Sequence, residues 1–311
     1  MENLLFLCVN SDMMILYEQC PICGQTNIHK VLGAEDYTVS HEVFDIWECT
    51  NCTLRFTQGV PEPDKIGAYY QSETYISHSD TRQGFVNKAY HAVRLRTLQA
   101  KKNLVQKQTG RSTGKMLDVG SGTGAFVNVM KRAGWDTMGL EPDQAARVRA
   151  AELYGVTLEE TGKLFELPSD SFDAITLWHV LEHVHDLHGY MKRLGNLLKP
   201  EGRLFIAVPN YTSYDGGYYG AHWAAYDVPR HLYHFSPRAM RVLLSLHGLK
   251  LEVIRPMWYD SFYVSMLSEQ YRNKKSNLSG AMVRGAMSNL RAFGDRESCS
   301  SVIYIIGLEK K

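Results

Sequence analysis

The sequence predicts an α/β protein in which a doubly wound sheet follows a small zinc-bound domain. Three observations support this fold class: strand and helix patterns alternate from Lys115 onwards, a glycine-rich loop follows the first strand, and two Cys-x-x-Cys pairs lie near the start. Such alternation is typical of a mostly parallel sheet that binds its ligand at the carboxyl ends of the strands. We expect a zinc ribbon at 15–60, a linker with a helical lid at 61–112, and the α/β domain at 113–311.

Charge and hydropathy exclude several classes of protein. The 34 lysines and arginines balance 33 aspartates and glutamates, so the net charge of +1 gives no overall field that attracts nucleic acid or an anionic membrane. No apolar stretch approaches the roughly 20 residues of a transmembrane helix. The apolar residues 4–9 lack the cationic leader of a signal peptide. We therefore expect a cytoplasmic protein without a membrane partner, and the oligomeric state stays open.

Four cysteines in the first domain have the spacing of a metal site. Cys20 and Cys23 form one pair and Cys49 and Cys52 another, with 25 residues between the pairs. Four thiolates complete a closed tetrahedral zinc site, which stabilises a fold and leaves no open position for chemistry. The alternative is two disulfides, which a chain without an export signal does not favour because cytosolic thiols stay reduced.

The elements of the second domain follow from local patterning. A helix is predicted at 85–108, where apolar residues recur between lysines and arginines, and TGRSTGK ends it. Strands are predicted at Lys115–Val119, in WDTMGLE up to Glu141, near Val156, in FDAITLW and in RLFIAVP. Helices are predicted between them at 126–133, 144–153 and 187–198.

The glycine loop after the first strand indicates a bound cofactor. Gly120, Gly122 and Ala125 fit the dinucleotide fingerprint in its Gly/Ala form, so a nicotinamide or flavin enzyme is one alternative. Asp118 lies directly before the loop, where a carboxylate would repel a pyrophosphate but can bind an ammonium group. The sequence LDVGSGTG also resembles the first motif of class I S-adenosylmethionine-dependent methyltransferases, and this resemblance extends from Lys115 to the end of the chain.

The resemblance implies a Rossmann-like, seven-stranded sheet whose last strand is antiparallel. It also implies a set of residues that bind S-adenosylmethionine: Asp118 and the loop glycines Gly120, Gly122 and Gly124 at the methionine part, Glu141 at the ribose, Leu164 and Phe165 at the adenine, and Trp178 beside the methyl group. Glu141 lies 23 residues after Asp118, at the end of the second strand. Where many relatives place an aspartate for adenine, this chain has Gly162 and Lys163.

A histidine cluster follows the fourth strand, and its residue types allow three interpretations. His179, Glu182 and His183 have the spacing i, i+3, i+4, so they would share one face of a helix. The segment is similar to Glu-x-x-Glu-His in ubiquinone-biosynthesis O-methyltransferases, which the resemblance associates with a divalent metal, but His179 replaces the first glutamate. The readings are proton transfer by His179, a metal site at the three residues, and a purely structural role.

Residues 211–235 are rich in aromatic side chains and lie after the fifth strand, where an acceptor must bind. Their glycines predict a mobile lid, and the alternative is a packed loop. The segment DVPRHLYHF is similar to segments in the methyltransferases that this chain resembles. We expect His231 to act as a base on the acceptor side, with Arg230 or His234 holding the acceptor.

The sequence thus predicts a methyltransferase whose acceptor is a small molecule or a carrier-linked sugar. The ribbon before such a domain also resembles a bacterial subgroup that includes sugar C-methyltransferases. An rRNA or tRNA methyltransferase that docks RNA with its ribbon is the main alternative, although nucleic acid is not the expected partner. A dehydrogenase and a non-enzymatic binding module are two further alternatives.

Overall fold

The computed structural model describes residues 14–71, 85–275 and 277–309. The strands are Met14–Ile15 (β1), Ile28–Glu35 (β2), Val43–Cys49 (β3), Arg55–Gln58 (β4), Val60–Pro61 (β5), Lys115–Val119 (β6), Asp136–Leu140 (β7), Phe172–Trp178 (β8), Leu198–Pro209 (β9), Tyr233–His234 (β10), Leu249–Pro256 (β11) and Ser301–Leu308 (β12). The α-helices are Phe85–Thr109 (α1), Ala125–Arg132 (α2), Gln144–Tyr154 (α3), Leu187–Leu197 (α4), Tyr214–Tyr219 (α5), Pro237–Leu246 (α6), Asp260–Asn273 (α7) and Leu278–Gly294 (α8).

The large sheet confirms the predicted fold class. Its described strands have the order β11-β12-β9-β8-β6-β7, in which β9, β8, β6 and β7 run parallel and β12 runs antiparallel to both of its neighbours. The central strand β8 is buried along almost its whole length, as expected for a strand covered by helices on both faces. The glycine loop and the histidine cluster follow β6 and β8, so both lie at the carboxyl edge.

The sheet has six described strands where seven were expected. The strand predicted near Val156 is reduced to a single bridge between Leu140 and Glu159. The chain turns into a 3-10 helix at Thr161–Glu166, so only one residue stays in register with β7. The other predicted strands and helices of this domain agree with the structure to within a few residues.

Several elements of the structure have no counterpart in the sequence prediction, and the helices α7 and α8 and the strand β10 are those that bear on the site. The helices α7 and α8 form a hairpin inserted between β11 and β12. The two-residue strand β10 leaves the second domain and pairs with β4, so that it becomes the edge of the ribbon's antiparallel sheet, whose order is β10-β4-β3-β2. None of the helices in the described ranges is long and apolar enough to cross a membrane.

Candidate active site

The glycine loop has the backbone that its sequence predicts. Gly120, Gly122 and Gly124 have φ angles of +73°, +52° and +75°, a region that residues with a side chain rarely adopt. A Cβ on Gly120 would lie 2.4 Å from Cγ2 of Val180, so this glycine is also needed for close packing. A Cβ on Gly122 would meet nothing within 4 Å, so the backbone there faces open space. The loop therefore exposes bare backbone at the carboxyl edge of β6.

Glu141 is tied directly to this loop. It is 8% exposed, and its Oε2 accepts a hydrogen bond of 2.7 Å from the Gly122 amide, while its Oε1 accepts one of 3.0 Å from the Asp143 amide. Burial is the main cause that raises the pKa of Glu141, and the two amide hydrogen bonds oppose it. Each carboxylate oxygen keeps a second lone pair, so the group can still accept hydrogen bonds from a ligand.

Asp118 is the last but one residue of β6 and is buried, and two of its neighbours, Thr176 and Lys101, were not predicted from the sequence. Its Oδ1 accepts a hydrogen bond of 2.5 Å from the Thr176 hydroxyl. Burial raises the pKa of Asp118 to about 6, against the opposing effects of Thr176 and of the positive charge of Lys101. Lys101 comes from α1, and its ammonium lies 4.3 Å from the centre of the Trp178 ring. The ammonium of Lys101 thus already lies near Asp118, the carboxylate that was expected to bind the ammonium group of the cofactor.

The remaining predicted cofactor residues have different environments. Trp178 is half-buried and packs edge-on against Phe126, with ring centres 5.7 Å apart. Phe165 is 49% exposed and contacts Tyr190 edge-on. Leu164 is fully buried, and its carbonyl accepts a hydrogen bond of 2.9 Å from Arg193. The Leu164 carbonyl thus already accepts one hydrogen bond inside the protein, and the exposed ring of Phe165 is the accessible part of this predicted adenine contact.

His179 lies between two carboxylates. Its Nε2 is 2.9 Å from Oδ2 of Asp260 at the start of α7, and its Nδ1 is 3.4 Å from Oε1 of Glu182. Burial lowers the pKa of His179, but the two carboxylates outweigh it and raise the pKa to about 10. The ring is therefore protonated at neutral pH and has no free lone pair. A protonated ring does not favour proton transfer from the acceptor to His179, which stays a prediction.

The predicted helix face does not form at this cluster. His179 has a φ of +58°, and only a 3-10 turn, Leu181–His183, follows it. Instead, Glu182 and His183 meet His231 from the segment before β10, with one ligand atom of each within 4.8 Å of the others. Glu182 is fully buried, and in the described residues neither of its carboxylate oxygens has a hydrogen-bond partner.

Both histidines of this trio are anchored through the same ring nitrogen, Nδ1. The Nδ1 of His183 lies 2.9 Å from the Arg230 carbonyl, and the Nδ1 of His231 lies 2.9 Å from the Ala225 carbonyl. Because a carbonyl only accepts, we assign the proton of each neutral ring to Nδ1, which leaves a lone pair on Nε2. Burial, with His231 nearby, lowers the pKa of His183 to about 4, so this ring is neutral at pH 7. The trio can therefore accept a proton or hold a cation.

The aromatic segment 211–235 is packed rather than mobile, which corrects the prediction of a lid. Tyr219, Trp223 and Tyr226 are all at most 3% exposed. The buried carboxylate of Asp215 accepts hydrogen bonds of 2.9 Å from Trp223 Nε1 and of 2.6 Å from each of two serine hydroxyls, Ser288 and Ser300. These bonds fix the segment to α8 and β12.

Arg230 and His234 do not reach an acceptor, contrary to the prediction. Arg230 is 1% exposed and donates from Nη2 to Asp36 of the ribbon at 2.9 Å and to Asp227 at 2.7 Å. The Nε2 of His234 contacts the Thr57 hydroxyl at 3.1 Å. Both side chains join the ribbon to the second domain.

The four predicted zinc ligands come together in the ribbon. Cys20, Cys23, Cys49 and Cys52 have their sulfurs within 4.8 Å of one another, and these cysteines are not joined in disulfides. The pair Cys20–Cys52 is 3.4 Å apart and the pair Cys23–Cys49 3.6 Å. Sulfurs bound tetrahedrally to zinc at about 2.3 Å lie roughly 3.8 Å apart, so the cluster fits this ion.

The sheet, the glycine loop and the carboxylates Asp118 and Glu141 define a Rossmann-like, cofactor-binding domain of the methyltransferase class. This chain belongs to the methyltransferase-domain family, whose model matches residues 89–253. The curated relatives are consistent with this assignment.

Several curated relatives are ubiquinone biosynthesis O-methyltransferases. The human mitochondrial protein is 29% identical over 167 residues, which cover 48% of this chain and 44% of that protein. The protein from Pectobacterium atrosepticum is 35% identical over 113 residues, 34% of this chain and 46% of the relative. The chain thus spans about half the length of these relatives. They lend no support to the RNA-methyltransferase alternative.

Among solved structures, the chain is similar to a putative sarcosine dimethylglycine methyltransferase from Galdieria sulphuraria. The TM-score is 0.49 at 16% identity, over 70% of this chain and 86% of that one. A geranyl diphosphate C-methyltransferase from Streptomyces coelicolor gives a TM-score of 0.49 at 17% identity, over 74% and 86% of the two chains.

Proposed function

We propose that this protein is an S-adenosylmethionine-dependent methyltransferase that methylates an oxygen of a small-molecule acceptor. The observation that carries the proposal is the pair of buried carboxylates, Asp118 and Glu141, at the ends of adjacent parallel strands on either side of a bare glycine loop. Family membership and the names of the O-methyltransferase relatives support it. A carrier-linked sugar stays a possible form of the acceptor.

In this proposal Glu141 accepts hydrogen bonds from the ribose hydroxyls, and Asp118 faces the cofactor's ammonium group. Lys101 now lies in the field of Asp118, so the ammonium would take over its electrostatic role there. Phe165 covers the adenine, and Trp178 lies beside the sulfonium end. The protonated His179 adds positive charge next to Trp178, held there by Asp260 and Glu182.

The cofactor's sulfonium supplies an already activated methyl group. The protein must then align the acceptor oxygen and remove one proton from it. We assign the proton removal to Nε2 of His231, which is anchored through Nδ1 and lies beside the buried charge of Glu182. A carboxylate next to the ring stabilises the imidazolium that forms when the proton arrives.

A divalent cation at Glu182, His183 and His231 is the alternative that the sequence left open. Two imidazole nitrogens and one carboxylate suit zinc or iron better than magnesium, and the carbonyl bonds at both Nδ1 atoms are the orientation that metal-bound histidines usually have. The orphaned carboxylate of Glu182 fits either role. Metal analysis distinguishes them: one zinc per chain, held by the cysteines, supports the base, and a second ion supports the cation.

Calorimetric titration with S-adenosylmethionine, with NAD as the comparison, tests the proposed cofactor. Glu141→Ala removes the ribose acceptor and should weaken binding by about 1–3 kcal/mol, or roughly 5- to 150-fold. The matched control is Glu152→Ala, which removes an exposed carboxylate from α3 and should leave affinity unchanged. Equal affinity of the Glu141 variant and the wild type would remove the ribose assignment, and binding of NAD alone would revive the dehydrogenase.

The acceptor class needs a separate experiment. Labelled methyl from S-adenosylmethionine is followed into a fractionated extract, with and without nuclease. Label in a nuclease-resistant small-molecule pool supports the proposal, and label in a glycan pool selects the sugar form. Label that ribonuclease removes would show that the acceptor is RNA.

A further inference from the structure

The helix α8 has the reverse of the usual distribution of side chains. Its buried residues are all small: Ala281, Gly285, Ser288 and Ala292. Its large apolar residues are exposed: Leu278 (61%), Met282 (51%), Val283 (54%), Met287 (37%), Leu290 (73%) and Phe293 (79%). A helix on the surface of a soluble protein normally buries the large apolar residues and exposes polar ones.

The small residues explain why the large ones remain outside. A Cβ on Gly285 would lie 2.6 Å from Cδ1 of Phe262 on α7, so the two helices approach closely at this point. At 100° per residue, Leu278, Met282, Leu290 and the other exposed apolar side chains fall on one half of α8. We call the six exposed residues the apolar face of α8. Contiguous faces of this kind usually mark an interaction site.

The charges on α8 and on the turn before it are positive, and the first carboxylate after them is Asp295, which caps the end of the helix. Between Gln270 and Gly294 the sequence has five cations and no carboxylate; the cations are Arg272, Lys274, Lys275, Arg284 and Arg291. Lys274 and Lys275 are exposed at the turn before α8. The guanidinium of Arg284 lies 4.2 Å from the centre of the Tyr218 ring, and that of Arg291 lies 4.5 Å from the centre of the Tyr214 ring. The near-zero net charge of the chain therefore contains a local cationic region.

We propose that α8 binds the surface of a membrane that contains anionic lipids, with its apolar face in the interface and its cations at the headgroups. An apolar half-face bordered by lysine and arginine is the pattern of helices that lie in a bilayer interface. A second copy of this chain fits less well, because a twofold contact at this face would bring the same cations together. The overall charge predicted no membrane partner, and the local arrangement revises that expectation.

The hairpin also connects this surface to the candidate active site. The helix α7, on which α8 packs, begins at Asp260, whose carboxylate pairs with His179. The proposal does not depend on the methyltransferase activity, because it rests on the exposed side chains of α8 and on the cations of α8, of the turn before it and of the end of α7.

Co-sedimentation with vesicles tests the proposal with the full-length protein. Vesicles of phosphatidylcholine with about 30% phosphatidylglycerol are compared with vesicles of phosphatidylcholine alone. We expect binding to the anionic vesicles that weakens with salt. The double variant Leu290→Glu/Phe293→Glu should bind at least about tenfold less. Lys274→Gln/Lys275→Gln should lower binding about fivefold per lysine.

The control is a double variant with the same charge change on another helix. Val148 and Leu153 on α3 are 52% and 44% exposed, so Val148→Glu/Leu153→Glu should leave vesicle binding unchanged. Thermal melts show whether each variant is folded. Equal vesicle binding by the α8 variant and the wild type would overturn the proposal, as would a lack of wild-type binding. A dimer in sedimentation velocity that Leu290→Glu/Phe293→Glu dissolves, without vesicle binding, would assign the face to a second copy.

Discussion

The buried ion pair between Asp36 and Arg230 should be a major source of stability across the ribbon interface. Both residues are 1% exposed, and Asp36 also accepts hydrogen bonds from the amides of Thr38, Val39 and Ser40. Asp36→Asn leaves the buried guanidinium with less negative charge and replaces one acceptor oxygen by an amide. Breaking a buried pair costs about 3–5 kcal/mol when the remaining charge has no partner, and because Asp227 still pairs with Arg230 we expect the lower end, about 3 kcal/mol. With an unfolding entropy of about 2.1 cal/mol/K per residue, that lowers the Tm by roughly 5 °C.

A matched variant separates this effect from that of any charge change in the ribbon. Asp45 pairs with Lys30 at 2.7 Å, but the two side chains are 42% and 55% exposed. Asp45→Asn should therefore cost less than about 1 kcal/mol. Urea or thermal unfolding measures both variants. Similar stabilities for Asp36→Asn and Asp45→Asn would refute the reasoning that the buried pair holds the ribbon in place.

The pH dependence gives an independent check. Burial raises the pKa of Asp36, but Arg230 and the amide hydrogen bonds outweigh it and hold the pKa well below its usual range. The stability from a carboxyl with a lowered pKa is present above its unfolded pKa of about 3.9 and is lost as the pH falls below it. The difference between wild type and Asp36→Asn should therefore be constant above about pH 5 and shrink in acid.

Three further predictions concern the metal, the histidine and the loop. Metal analysis should find zinc bound to the cysteine cluster, chelation should lower the Tm, and Cys299→Ser should leave the zinc content unchanged, since Cys299 lies outside the cluster. Asp260→Asn should lower the pKa of His179 from about 10, which NMR titration of the ring would measure. The stability that this pair adds is present below about pH 6.5 and is lost as the pH rises through 10. An unchanged pKa of His179 in the variant would contradict the pairing. Gly122→Ala should lower the Tm by only roughly 2–3 °C, because the left-handed backbone costs about 1–2 kcal/mol and the added Cβ meets open space, and it should weaken cofactor binding because that Cβ would stand where the cofactor approaches; a large loss of Tm with normal affinity would contradict that geometry.

The parts of the fold that local patterns determine could be predicted from the sequence. The strand β8 has the predicted bounds because a continuous apolar run is bordered by polar turns. The hairpin α7–α8 could not be predicted, since the large apolar residues of α8 face outwards and its small residues face inwards. Periodicity locates an apolar face but does not say whether the protein's own core covers it.

The candidate site divides in the same way. The glycine loop and Glu141 follow a fixed spacing along the chain, so sequence could identify them. Glu182 and His231 are 49 residues apart, and they meet because the backbone beside His231 bonds to both sides: the Leu232 amide donates to the Glu182 carbonyl, and β10 joins the ribbon's sheet. The spacing at His179 suggested a helix, but the left-handed backbone of that residue prevents one from starting there. The carboxylate of Asp260, which sets the charge of His179, comes from the helix that the sequence did not reveal.

The shared sheet of the ribbon has a consequence for how the protein depends on metal. The hydroxyl of Thr57 on β4 donates a hydrogen bond of 2.7 Å to the carbonyl of His231, and β10 begins two residues later. The backbone of His231, the proposed base, is thus held in place by a hydrogen bond from the ribbon. By linkage, whatever favours the zinc-loaded ribbon also favours the working position of His231. If the cysteine cluster holds zinc, removal of that ion should disturb the position of His231 as well as the fold of the ribbon.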